Sequence, residues 1–169
     1  MTLQPRHDLV TSYLARPAEA LVVEGFRSAF EQIHAQEVRQ TPACWQRTPA
    51  NKQGMDQAAQ ALDNLVETLR RCATCPLRCF PAGAPNLCRD ECLLLGILAS
   101  IQHGDDDTLK LCLDALACPF RAPEVASAAG ALAITLKALG KTLMPIPASA
   151  ISDILIRSGQ SQARSATLH

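Results

Sequence analysis

At 169 residues the chain is long enough for one ordinary domain that buries about 70% of its unfolded surface. Hydrophobic residues make up 48% and charged residues 19%, which excludes wholesale disorder, and no apolar run approaches the roughly 18 residues of a membrane span. Sixteen basic and sixteen acidic residues cancel, so no global field draws the chain onto nucleic acid or an anionic membrane, and such binding would have to be local.

The opening stretch "MTLQPRHDLVTSYLARPAEALVV" lacks a basic segment followed by an unbroken apolar one, because His7, Asp8, Arg16 and Glu19 interrupt it. The expected location is cytoplasmic, where clustered cysteines serve metals, redox chemistry or the core more often than permanent disulfides. Alanine and leucine dominate, aromatics are 4%, and β-branched residues rarely alternate with polar ones, so strands have little material to draw on. The expected fold is all-α: a compact bundle of about five to six antiparallel helices with a cysteine-rich helical hairpin.

A first helix over 17–38 opens at Pro17 and carries Val22, Phe26, Phe30 and Ile33 on one face. Residues 40–54 hold two prolines, a glycine and the only tryptophan, Trp45, and read as a linker or ordered loop. Residues 1–50 could accordingly form an arm that packs on a partner or pairs two copies in a homodimer. From 55 to 72, Ala58, Leu62, Leu65, Leu69 and Cys72 repeat at helical spacing. After a cysteine-rich segment, "CLLLGILASIQHG" is apolar nearly all round and reads as the buried central helix, closed by Gly104. Asp105, Asp106 and Asp107 suit the cap and first turn of the next helix, whose inward face is Leu109, Cys112, Leu113 and Leu116. Pro123 and Glu124 start another helix with Val125, Ala129, Leu132, Leu136 and Leu139 inward, ending at Gly140. A last short helix follows Pro147. Residues 1–158 make a single domain, and 159–169, without apolar periodicity, a flexible tail.

The segment "RRCATCPLRCFPAGAPNLCRDEC", 70–92, places five of the eight cysteines among four arginines. Cys75 and Cys79 are four apart, as are Cys88 and Cys92, and residues four apart share a helix face. If the chain turns back through the Pro-Gly-Pro stretch between them, two short helical pieces bring four sulfurs together, with Cys72 a fifth. Pro76, tolerated only in a first turn, argues for a break near Cys72. Four converging thiolates satisfy tetrahedral zinc, and Cys72-x-x-Cys75 has the short spacing usual for such sites. An iron–sulfur cluster, two stacked disulfides (Cys75 to Cys92 and Cys79 to Cys88) and plain thiols are the competing readings. Cys112 reads as a core thiol. Arg70, Arg71, Arg78 and Arg89 beside the cysteines would lower thiol pKa values or contact a partner's anions.

His7, His34, His103 and His169 are scattered; His103 suits a helix C-terminus and is only a remote further ligand. No phosphate loop, dinucleotide fingerprint, nucleophile elbow or zinc-protease helix is present. The stretch from Thr135 to Leu155 is loosely helix-turn-helix-like, but its connection is too long and its second helix not basic, so nucleic acid is a minor expectation. The expectation is a non-enzymatic regulatory or adaptor protein, with structural zinc on the set Cys72, Cys75, Cys79, Cys88 and Cys92, a protein partner and no membrane. The alternatives are a metal- or redox-responsive regulator, with a DNA-binding variant of it, and, more weakly, a thiol-dependent enzyme.

Overall fold

The structure, a computed structural model, describes residues 13–35, 45, 52–72 and 76–166, except the side chains of 33–35, 72 and 160–166. Among the described residues six helices and no strand occur: α1 Pro17–Ala35, α2 Lys52–Cys72, α3 Arg89–His103, α4 Asp106–Leu116, α5 Ala122–Ala138 and α6 Ala148–Ala166. α2 packs chiefly on α5, and α3 lies between α4 and α5 with α1 and α6 closing over it. One continuous apolar core runs through all six.

The stripe Ala58, Leu62, Leu65 and Leu69 is buried to the last residue, and α3 buries Leu93 through Ser100 without a break. α2 begins three residues before the expected 55, so Gly54 stands inside a helix and not in the linker. A Cβ on Gly54 would fall 2.6 Å from Leu139 Cδ2, so the small residue permits close packing of α2 on the end of α5. Trp45 is 2% exposed, and an added Cβ on Gly25 would meet its indole Nε1 at 2.6 Å, so the indole packs against α1; the rest of the expected loop lies outside the described residues.

α3 ends where Gly104 takes φ 72°, the left-handed conformation that suits glycine, and the Asp105 N–H returns to Ser100 O at 3.0 Å. Asp105 then caps α4, its carboxylate accepting from Thr108 N at 3.0 Å and from the Thr108 hydroxyl at 2.6 Å. These hydrogen bonds hold the Asp105 carboxyl below its usual range.

The connection between α5 and α6 is irregular, yet it is fixed from inside. Gln102, 5% exposed, donates to Ala133 O and Lys141 O and accepts from Leu143 N, while Glu19 on α1 accepts from Met144 N at 2.7 Å. A segment so tied is part of the bundle. α6 continues to Ala166, well beyond the short helix expected after Pro147 and into the segment read as a tail. Its last turns have no apolar stripe, but Gln, Ala and Arg are good helix formers.

Candidate functional site

Residues 76–88 form no helix; a single turn at Pro81 to Ala84 reverses the chain, and Gly83 supplies φ 77° there. From Pro76 to Cys79 the first arm of the expected hairpin is therefore a loop, with Cys75 outside the described residues, and the second arm, Cys88 and Cys92, lies at the start of a helix. The backbone N–H groups of such a loop need partners elsewhere, and side-chain carboxylates supply them. Arg78 N donates to Asp90, Phe80 N and Cys88 N to Glu91, Ala82 N to Glu31 and Gly83 N to Glu24. Glu91 is three residues into α3 from the N-cap Cys88, the position from which a carboxylate reaches back to the cap N–H.

Arg27 completes the arrangement. All five of its N–H donors are used: Nε and Nη2 on the two Glu91 oxygens at 2.7 and 3.2 Å, Nη1 on Glu24 and Ala84 O, and Nη2 also on Asn86 O. Both side chains of the Arg27–Glu91 pair are wholly buried. Burial disfavours the guanidinium charge, but the hydrogen bonds and charge of Glu91 outweigh it and raise the Arg27 pKa. One carboxylate on α3 thus holds both strands of the loop, at Phe80 and at Cys88, while one arginine on α1 holds its tip.

Cys79, Cys88 and Cys92 are all half-buried, and the Cys88 thiol donates to Arg78 O at 3.0 Å across the loop. Burial, with the nearby carboxylate of Glu91, pushes the Cys79 thiol up to about 11. Burial takes Cys88 to about 12, and it takes Cys92 to about 12 with help from the charge of Cys88. The arginines beside them in sequence do not produce thiolates. Arg70 and Arg71 pair with Glu67, and Arg89 reaches Asp90 and Ala115 O, so their charges are spent on other partners. Loss of hydration decides the thiol pKa values, and it favours the neutral form.

Cys75 and the side chain of Cys72 lie outside the described residues. Among the described residues, no three His, Cys, Asp or Glu side chains form a group able to hold a metal ion. His103 is no candidate for joining the cysteines: it closes α3 at the end away from Cys88, about 22 Å along a 15-residue helix, and bonds Leu143 O through Nε2. Cys112 is a core residue with no exposure, its sulfur 2.7 Å from where a Cβ on Gly96 would stand.

The residues that build the site, Arg27, Glu24 and Glu91, are ones the sequence reading passed over. One signal was present: Glu19, Val23 and Arg27 repeat at intervals of four, placing two charges on an α1 face that also carries a buried valine. No described helix is long and apolar enough to cross a membrane. Comparison with protein-family models, with curated proteins and with solved structures finds no match to this chain.

Proposed function

We propose that the protein is a non-enzymatic regulatory or adaptor protein whose cysteine segment takes one structural zinc ion, drawing its ligands from Cys72, Cys75, Cys79, Cys88 and Cys92. The observation that supports this reading is the anchoring of both loop strands on the single Glu91 carboxylate, which fixes the strands carrying Cys79 and Cys88 against the start of α3, although Cys79, Cys88 and Cys92 do not by themselves form a metal-holding group. Zinc binding would draw the cysteines of this loop together and tie them to the end of α2. High thiol pKa values count against a nucleophilic or readily oxidised cysteine, whereas a bound cation displaces thiol protons by its own charge. The same consideration counts against the thiol-switch form of the redox-responsive reading.

Elemental analysis of protein purified without chelator tests this. About one zinc per chain is expected. Cys88→Ser should abolish it, while Cys112→Ser should keep it and cost only a packing defect. Iron in place of zinc, or protein free of metal with all thiols reduced, overturns the reading.

A further inference from the structure

Three segment ends meet at one end of the bundle, and each carries a cysteine. Cys72 closes α2, Cys88 is the N-cap of α3, and Cys118 stands on the turn between α4 and α5. Two hydrogen bonds between distant residues hold these ends together. Arg121 Nη1 donates to Arg71 O at 3.3 Å, which sets the turn that follows Cys118 against the last residues of α2. Arg89 Nη2 donates to Ala115 O at 3.0 Å, which sets the start of α3 against the end of α4. The turn is itself fixed, because Cys118 O accepts from Arg121 N at 3.0 Å and from Ala122 N at 2.9 Å. Cys118 is half-buried and its thiol is free. The N–H groups of Asp90 and Glu91 reach the Cys88 sulfur and favour its charged form, although burial outweighs them. Cys92, one turn further along α3, lies close enough to the core residue Cys112 for the two ionisations to interact.

We propose that Cys118 is a ligand of the zinc ion, joining Cys72 and Cys88 in a set gathered from three segment ends, while Cys92 stays with the core. This inference rests on the zinc reading above and alters which residues hold the ion. A structural zinc site takes four ligands, and a ligand far along the chain adds most, because the ion then closes a long loop that the unfolded chain leaves open. Cys118 is such a ligand: it would tie the α4–α5 turn to the end of α2, along the line that the Arg121 hydrogen bond already marks. The described cysteines do not stand as a preformed metal-holding group, so binding draws these ends inward, each thiol giving its proton to solvent as the cation arrives.

Titration of the reduced, metal-stripped full chain with zinc, in competition with a chromophoric chelator, tests this in the wild type and in Cys118→Ser, Cys92→Ser and Cys118→His. The wild type should bind about one zinc per chain. Cys118→Ser should weaken binding about ten-fold or more, Cys92→Ser should bind as the wild type does, and Cys118→His, which offers another zinc ligand, should recover most of the loss. Cobalt(II) gives a readout that a packing defect does not move. Its sulfur-to-metal charge-transfer band should fall by about a quarter in Cys118→Ser, one thiolate of four being gone. Without metal, Cys118→Ser and the wild type should melt alike. Tight zinc in the wild type with unchanged binding in Cys118→Ser, or equal losses in Cys92→Ser and Cys118→Ser, overturns this inference and leaves the zinc reading standing. A wild type that binds neither zinc nor cobalt overturns the zinc reading and this inference with it.

Discussion

Arg27 and Glu91, separated by 64 positions in the chain, meet at 2.7 Å with neither side chain reaching solvent. Removing one partner strands the other in a dry interior and also releases the loop carbonyls or N–H groups it held. Arg27→Met should therefore cost about 3–5 kcal/mol in urea unfolding followed through Trp45, and should expose the 76–88 loop to protease. A loss below about 1 kcal/mol, the range of a solvated ion pair, would show that the pair is not buried in solution.

Thiol ionisation gives a pH dependence of definite sign. In the unfolded chain the cysteines titrate near 9.0; in the folded chain Cys79, Cys88, Cys92 and Cys112 hold their protons to about 11 or 12. Their raised pKa values contribute stability that is complete below the unfolded value and is lost as pH rises through the folded ones. Chelator-treated protein should keep its melting temperature from pH 7 to about pH 9 and lose it steadily above that. Alkylation by iodoacetamide at neutral pH should be slow at these positions, and a fast-reacting Cys88 or Cys92 would contradict the burial.

The contact of α3 with α4 depends on Gly96. A Cβ there would stand 2.7 Å from Cys112 Sγ and 3.2 Å from Ile151 Cδ1, so Gly96→Ala overfills the interface and should cost about 1–3 kcal/mol. Cys112→Ala clears the sulfur from its path. The double variant should be more stable than the sum of the two single effects, and simple additivity in calorimetry would mean that the two positions do not touch.

Gln102→Leu preserves bulk but orphans Leu143 N–H, which has about 1–3 kcal/mol of desolvation to lose, together with the carbonyls of Ala133 and Lys141. Hydrogen exchange at Leu143 should accelerate more than at Leu94 in the core of α3. Equal change at both would indicate global destabilisation and not a local clamp.

The helical segments were readable because their signals are short-ranged. The stripe from Ala58 to Leu69 and the acidic cap at Asp105 act within a turn or two of the chain, and both are where spacing and capping preference put them. The cysteine segment misled for the same reason. Four-residue spacing suggested a helix at Cys75 and Cys79, but residues 76–80 found better partners in Asp90 and Glu91 than a helical turn starting beside Pro76 could offer.

Composition and periodicity alone determined that this chain is helical, where most of its helices begin and end, and that its central helix is buried. Only the tertiary structure decided that Arg27 and Glu91 would hold the cysteine loop, that its thiols would stay protonated despite four neighbouring arginines, and that Cys118 and Arg71 would share one end of the bundle. Helix formation is settled by interactions a few residues long, whereas hydration and charge at a site depend on which distant residues are brought beside it.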